Sequence, residues 1–560
     1  MTAQPPAPAH PATTPADAAH EAMVAALRRP GACGGFPGVA QRLDTHLSTL
    51  LLAGDRVFKL KKPRRFGFVD FSTVAARLDA CQQELRLNRR TAPRHYLAVV
   101  PVRATAAGAV IDPLHGVGSA ATAHTAEPTG AVLDWAVAMR RFDPAQGFDH
   151  LTDAGTLSRA QIDALATTVA RFHAQLPPAP PGHGRPEAAL HWARENGLEL
   201  QALVQADPAL AHLAAPLAAL QAWSATRGAA LAPLMAQRAR AGQVREVHGD
   251  LHLGNIVWDD GAPLLFDALE FNDLLRHTDT IGDLAFTVMD LLAHGLPALA
   301  WRFLSQVLEA SGDHAALPLL GWWGAYRAAV RAKVALLTGG PGAVARATAC
   351  LQVASGLAGL APLPPAALPP RRLVVCMGYS GSGKSTVALG LIERLAHGCG
   401  PGLGGALRLR SDVERKRLHG LQARQRAGPE VYSADTNRRT YQRLGELAGG
   451  VLDAGLSVVV DAACLRRAER QALRQVAAAH GAAHTLLLCD APWPVLQARV
   501  AARLAVGTDA SDATPAVLEL QRAVAEWPAA DEAADRLTLD TDVPPDALAA
   551  VVAGLPLLPA

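Results

Sequence analysis

His248-Gly249-Asp250-Leu251-His252-Leu253-Gly254-Asn255, followed at a distance by Asp267, is the stretch that decides the fold of this 560-residue chain. Asp250 is suited to accept a proton from a hydroxyl. Asn255, five residues on, and Asp267, twelve further, offer an amide and a carboxylate oxygen. Magnesium takes such hard oxygen ligands alongside water and phosphate oxygens. Ile256-Val257-Trp258 reads as a strand, Asp259-Asp260-Gly261 as a turn and Leu264-Leu265-Phe266 as a returning strand. A hairpin brings its two ends together, so Asn255 and Asp267 become neighbours. The plainer account is a solvated loop of turn-forming residues. The joint occurrence of the loop and the Asp at this distance argues against it.

This stretch resembles the catalytic loop and metal-binding Asp of aminoglycoside phosphotransferases and of the wider protein-kinase-like fold. Protein kinases carry H-R-D-x-x-x-x-N in the loop. Here Gly249 stands in place of Arg, as is usual in the aminoglycoside and small-molecule branch. Asp267-Ala268-Leu269-Glu270-Phe271 replaces Asp-Phe-Gly. The resemblance implies that Asp250 is the base and that Asn255 and Asp267 hold magnesium. It also implies a strand lysine that steadies nucleotide phosphates and pairs with a helix glutamate.

The residues upstream supply candidates for that pair. Leu47–Leu52 and Arg56–Leu60 read as a hairpin about Gly54-Asp55, with Lys59 inside the second strand. A helix from about Val74 to Arg90 carries Glu84. Lys59 with Glu84 is the expected pair, Lys61 is the rival lysine, and a basic surface strand is the plain alternative. No G-x-G-x-x-G precedes Lys59, so a loop covering nucleotide here differs from that of protein kinases. Residues 97–103 and 132–142 read as further strands, the second ending near the hinge that the fold uses for adenine. His173, on a helix over 156–178, reads as a packing residue. Asp283 reads as structural; in the related family the matching Asp hydrogen-bonds the catalytic loop. Ala- and Leu-rich helices to about Arg240, and from Thr278 to Leu337, read as a helical lobe.

A second site follows a Pro-rich, stiff segment at 357–370. Leu373–Met377 is a buried-strand pattern. It runs into Gly378-Tyr379-Ser380-Gly381-Ser382-Gly383-Lys384-Ser385-Thr386 and then a helix. This is a Walker A P-loop in its strand–loop–helix context. Gly378, Gly381 and Gly383 let backbone amides wrap phosphate, with Ser382 and Thr386 in the same loop and first turn. The helix N-terminus adds a favourable dipole. Lys384 reaches the terminal phosphates and the Ser385 hydroxyl ligates magnesium.

The remainder resembles small P-loop kinases of the gluconate-kinase, polynucleotide-kinase and zeta-toxin type. A strand Leu407–Arg410 ends at Ser411-Asp412-Val413-Glu414-Arg415. An Asp at a strand's carboxyl end faces the ligand crevice of an open α/β sheet. The resemblance implies that Asp412 activates the acceptor hydroxyl and Arg415 holds substrate. A helix N-cap at Ser411 or Asp412 is the plainer reading. Asp461, after the strand Leu456–Val460, is either the Walker B acid that holds magnesium through water or a substrate contact. Arg499 and Arg503, one turn apart on a helix over 494–504, either form a lid over the transferring phosphate or are solvated charges.

Composition restricts the remaining possibilities. Half the residues are hydrophobic, enough for sizeable cores. The formal charge of +3 gives no reason to expect nucleic acid or an anionic membrane as partner. Seven cysteines without C-x-x-C spacing read as reduced thiols of a cytoplasmic protein. Neither a transmembrane stretch nor a secretory signal is legible. Residues 1–20, rich in Pro, Ala and Thr, read as a disordered tail.

The strings Thr45-His46-Leu47-Ser48, Lys59-Leu60-Lys61-Lys62-Pro63 and Phe68-Val69-Asp70-Phe71-Ser72 narrow the resemblance. They are similar to a group of bacterial proteins in which an aminoglycoside-phosphotransferase-family enzyme is fused to a P-loop kinase. The expected architecture is an α+β, bilobal, protein-kinase-like domain over 21–356, with a small lobe at about 40–142 and a helical lobe at about 143–356. An α/β P-loop domain with a parallel sheet follows over 371–560. The expected function is ATP- and Mg2+-dependent phosphoryl transfer by two modules to hydroxyls of small molecules. The alternatives are that one module is a nucleotide-binding regulator of the other, or that the P-loop half is a zeta-toxin-like kinase of nucleotide sugars. A scaffolding pseudo-enzyme is disfavoured, because both sites keep every residue the chemistry needs.

Overall fold

Ser48–Ala53 and Arg56–Lys61 form an antiparallel hairpin about Gly54, whose φ of 66° suits a residue without a side chain. In this computed structural model the described residues are 14–67, 69–114, 130–360, 370–396, 402–507 and 509–557. Among them the hairpin belongs to a six-stranded sheet in the order 41–44, 48–53, 56–61, 132–140, 96–105, 108–111, with antiparallel neighbours. Lys59 lies opposite Leu50 on one side and Val137 on the other. Alternate residues of a strand share a face, so Lys59 and Lys61 point the same way. Helix Val74–Asn88, capped by Thr73, packs on this sheet through a core of Cys81, Ala92, Tyr96 and Val137. That helix brings Glu84 to the lysine face.

The expected disordered tail is corrected over its described part. A helix spans Pro15–Leu27 and puts Met23, Val24 and Leu27 into the core of the sheet. Thr14 and Asp17 form a reciprocal capping box that satisfies the first free amides, and Pro15 enters with its φ already set. Residues 1–13 lie outside the described residues. So do residues 361–369, most of the expected Pro-rich linker.

The chain divides into two compact units. The first holds the described residues up to Leu151 together with Glu246–Thr278. The second holds Thr152–Arg245 and the described residues from Asp279 onward. In the first unit, Ile256–Asp259 and Ala262–Leu265 form the hairpin read from the sequence, with Ile256 opposite Leu265. In the second unit, helices between Arg159 and Leu357 accompany a five-stranded sheet of parallel neighbours. Its order is 406–410, 457–461, 372–377, 483–490, 536–540. Strand Arg372–Met377 is flanked by elements that come later in the chain on both sides. The crevice at its carboxyl end is the switch point where such sheets bind ligands.

Helix Pro297–Ser311 packs against helix Lys384–Ala396 and strand Ala406–Arg410. Trp301 is fully buried there, and a Cβ on Gly405 would lie 2.2 Å from its indole. Glu393, on the helix that begins at Lys384, is paired with Arg302 at 2.9 Å and with Arg159 at 2.7 Å. Among the described residues no helix is long and apolar enough to cross a membrane.

Candidate active sites

In the first unit the geometry begins with a buried ionic chain. Lys59 Nζ donates to Glu84 Oε1 at 2.9 Å and to Asp267 Oδ1 at 2.5 Å. Lys61 Nζ donates to Glu84 Oε2 at 2.5 Å and also to Glu270. Glu84 therefore serves both lysines, one with each oxygen. Burial by itself would raise its carboxyl, but Lys59 and Lys61 override that and hold it at about 2. Burial would pull Lys59 down, but Asp267 and Glu84 keep its ammonium well above the usual lysine range. Burial pushes the Glu270 carboxyl up, with Lys61 only partly opposing it. Lys59 alone of the two touches the candidate metal-binding Asp267, so the geometry distinguishes the lysines that the sequence left as rivals.

Asp267 adopts φ 59°, a left-handed conformation rarely taken by residues other than glycine. Several contacts hold it there. Its amide donates to the Tyr96 hydroxyl at 3.1 Å. The next amide, Ala268, donates to Asn88 Oδ1 at 2.9 Å. His248 Nε2 lies 3.0 Å from Phe266 O, and the His248 carbonyl accepts from Leu269 N. Local strain of this kind persists only where surrounding contacts over-determine it, and it gathers at ligand sites.

Asn255 and Asp267 flank the open end of the hairpin, where Phe266 N donates to Asn255 O at 3.0 Å. Asn255 Nδ2 donates to the Asp250 carbonyl at 2.9 Å and to Asp250 Oδ2 at 3.0 Å. The amide nitrogen is thus engaged by Asp250, which leaves the amide oxygen as the atom that could meet a cation. His252 Nδ1 accepts from Gly254 N at 3.1 Å, which puts the ring proton on Nε2, 3.5 Å from Asp250 Oδ2. An amide oxygen, a strained carboxylate and a buried ammonium form a set that fits magnesium and phosphate chemically.

In the second unit the P-loop joins strand Arg372–Met377 to helix Lys384–Ala396. Gly381 has φ 84°, and a Cβ there would lie 2.8 Å from Leu496 O. Lys384 Nζ donates to Gly378 O at 2.8 Å and Tyr379 O at 2.6 Å. Burial draws its ammonium below the ordinary lysine value, and Asp461 opposes the shift. A cavity of about 320 Å³ is lined by Lys384, Ser385, Asp412, Arg415, Asp461 and Arg503. Asp461 ends the strand beside the P-loop strand, opposite Cys376. Asp412 lies in the first turn of helix Ser411–Arg417.

Arg499 goes elsewhere. It donates to Thr541 O at 2.8 Å and Gly381 O at 3.4 Å, bracing the loop rather than lining the cavity. Arg503 faces the cavity, and its NH2 is buried without a hydrogen-bond partner among the described residues, as is Arg415 Nε.

The residues of these two sites fall inside two spans that match known families. Residues 53–320 match the phosphotransferase enzyme family and residues 373–528 an AAA domain. The uncharacterized protein Rv2004c of Mycobacterium tuberculosis is 31% identical over 519 residues, spanning 91% of this chain and 88% of its own. An uncharacterized protein of Mycobacterium bovis matches to the same extent. The chain belongs to their family. It joins a phosphotransferase-family module of kinase-like fold to an AAA module of P-loop kinase type.

Solved structures cover one module or the other. An APS kinase of Mycobacterium tuberculosis, in complex with AMPPNP and APS, is 24% identical with a TM-score of 0.25, over 33% of this chain and 96% of its own. A choline kinase of Cryptosporidium parvum is 9% identical with a TM-score of 0.34, over 57% and 88%. An aminoglycoside 2'-phosphotransferase-IIIa is 15% identical with a TM-score of 0.33, over 56% and 91%.

Sequence reasoning missed several residues that shape these sites. In the phosphotransferase-family module Asn88 and Tyr96 hold the backbone at Asp267, and Glu270 takes Lys61. A polar residue one turn after Glu84 was the available signal for Asn88, whose Nδ2 also donates to Glu84 O. In the AAA module Tyr432, Asn437 and Glu469 line the cavity with the expected residues. Arg415 stacks on Tyr432 and donates to Asn437 Oδ1 at 3.0 Å, and Asn437 Nδ2 donates to Glu469. These contacts come from separate elements, and no spacing in the sequence joins them. His173 is buried and pairs with Asp283 at 2.9 Å.

Proposed function

We propose that the chain is an ATP- and Mg2+-dependent phosphotransferase with two modules, each delivering a phosphoryl group to a hydroxyl of a small molecule. The observation that carries this reading is the repetition of one chemical kit in both modules. Each has a lysine for phosphate, hard oxygen ligands and a separate carboxylate for the acceptor. Bound Mg·ATP supplies the phosphoryl group and the charge that shields it.

In the phosphotransferase-family module, Lys59 steadies the nucleotide's phosphates, fixed by Glu84. Asn255 and Asp267 hold the cation. Asp250 takes the acceptor's proton, steered by the Asn255 amide and His252. In the AAA module, Lys384 and the loop amides hold phosphate, Ser385 and Asp461 serve the cation, and Asp412 takes the proton. The buried, partnerless donors of Arg415 and Arg503 favour an anionic group in the cavity. Little covalent work falls to the protein in such a reaction, and positioning with charge stabilisation does the rest. The net charge of +3 and the free, buried cysteines among the described residues support action in the cytoplasm on small molecules rather than on nucleic acid or membrane.

The test is product formation by wild type, Asp250→Ala and Lys384→Ala. Each is offered ATP with a panel of aminoglycosides, sugars, sugar acids and nucleosides, and products are read by mass. The reading expects each substitution to remove a different phosphorylated product. If both remove the same product, one module regulates the other or the two share one reaction. If wild type phosphorylates nothing while binding ATP, a binding role replaces the enzymatic one.

A further inference from the structure

Glu309 lies on helix Pro297–Ser311, inside the stretch that matches the phosphotransferase enzyme family, yet its carboxylate reaches into the AAA module. Both of its oxygens are used there. Arg408 Nε donates to Oε2 at 3.0 Å, and its NH2 stands 2.7 Å from the same atom. Arg410 NH1 stands 3.6 Å from Oε1. The two arginines are alternate residues of strand Ala406–Arg410, so they present one face to the helix. The same helix gives a second contact to that strand, since Arg408 N donates to Ser305 Oγ at 2.9 Å. Its C-terminal end is also tied, because Arg417 donates to Glu309 O at 2.5 Å.

Both arginines continue into the P-loop site. Arg408 NH1 donates to Ser385 O at 3.3 Å, beneath the hydroxyl read as a magnesium ligand. Arg410 lines the cavity, with Nε 3.4 Å from Asp461 Oδ2 and NH2 3.2 Å from Asp509 Oδ1. The guanidinium of Arg410 is thus shared among three carboxylates, one of them the candidate cation ligand. Arg408 and Glu309 are both largely buried, so their pairing is weakly screened by solvent.

We propose that Glu309 is a positioning residue of the P-loop site: by sharing the charge of Arg410 with Asp461 and Asp509, it weakens that guanidinium's hold on Asp461 and so leaves Asp461 able to serve magnesium. The helix of one module thereby completes the cation site of the other. This rests on the reading of Asp461 and Ser385 given above. With Glu309 neutralised, Arg410 keeps Asp461, Asp509 and the nearby Asp412 as counter-charges and draws closer to Asp461, in competition with the cation.

The experiment uses the full-length chain carrying Asp267→Ala, so that nucleotide binding reports the P-loop site. A fluorescent ATP analogue is titrated with and without Mg2+. Glu309→Gln should raise the Mg2+ concentration for half-maximal binding about tenfold and leave Mg2+-free binding within twofold. Glu309→Gln combined with Arg410→Gln should bring the Mg2+ requirement back, since the competing guanidinium is gone. Thermal unfolding of each variant is recorded alongside.

An unchanged Mg2+ requirement in Glu309→Gln overturns the proposal. So does an equal loss of binding with and without Mg2+, or a loss that the double variant does not relieve, because either marks a structural contact only. Lys384→Ala in the same background must abolish the signal. If the signal survives there, the nucleotide reading of the P-loop fails, independently of Glu309.

Discussion

Glu84 is the residue on which the phosphotransferase-family site depends most. It is fully buried between two lysines and bridges them, each lysine having one further carboxylate, Asp267 for Lys59 and Glu270 for Lys61. Removing one partner of a buried pair leaves uncompensated charge, which costs about 3–5 kcal/mol. Glu84→Ala should therefore lower stability by about that amount, measured by denaturant unfolding. Lys59→Met should suppress ATP use with a milder loss of stability, because Lys61 and Glu84 remain paired.

The same chain of charges makes the first unit acid-sensitive. The Glu84 and Glu246 carboxyls are both held at about 2, Glu246 by Arg86 and Arg276 against the effect of burial. Unfolded glutamate titrates near about 4.3. Carboxyls depressed in the folded state stabilise it fully above the unfolded value, and that stability is lost as pH falls through the folded one. Protection of the amides of Ser48–Lys61 and Val74–Asn88 against hydrogen exchange, taken relative to the intrinsic rate at each pH, should fall as pH drops from about 4.5 toward 2, with Glu270, whose carboxyl burial raises, working in the opposite direction. Flat protection across that window would contradict this picture. Sequence alone favoured Lys59 but kept Lys61 as a rival, because residues two apart share a strand face. What separates them is Asp267, more than two hundred positions away.

At the scale of elements, the pieces with strong local grammar were legible. The hairpin before Asp267 and the P-loop with its strand and helix carry their turn residues and glycines in the sequence itself. Gly381 combines a left-handed backbone with a Cβ position 2.8 Å from a carbonyl oxygen. Gly381→Ala should abolish ATP binding at the P-loop site, while Asp250-dependent turnover persists. Asp250→Asn should do the reverse, cutting acceptor phosphorylation by about 10²–10⁴-fold with ATP binding kept, as for loss of a general base.

Helix Pro15–Leu27 was less legible, because Pro, Ala and Thr composition suggests a tail. The Thr14–Asp17 capping box and three core-facing apolar residues outweigh that composition. Arg499 shows the limit of helix-face arguments. It shares a face with Arg503, yet it spends its donors on Thr541 and Gly381 carbonyls, which only the folded sheet brings within reach.

For the molecule as a whole, the second unit unites helices of the phosphotransferase-family match with the entire AAA module. Trp301 against Gly405 is an apolar contact with no spare volume, and Arg302 with Glu393 adds a buried charge pair beside it, to which the exposed Arg159 also reaches. Overpacking such a site costs about 1–3 kcal/mol, so Gly405→Ala should lower the melting temperature of this unit by several degrees. Calorimetry should show helices and AAA module melting together. Separate transitions for them would contradict this joint core. None of this was legible in the sequence, where a Pro-rich stretch separates the modules and the paired residues lie from 91 to 234 positions apart.

The proposed function requires two independent nucleotide sites in one chain. Calorimetric titration of the full-length protein with Mg2+ and a non-hydrolysable ATP analogue tests this most directly. Two sites per chain are predicted, with Lys384→Ala and Asp267→Ala each removing a different one. A single site, or two that vanish together in either variant, would contradict it.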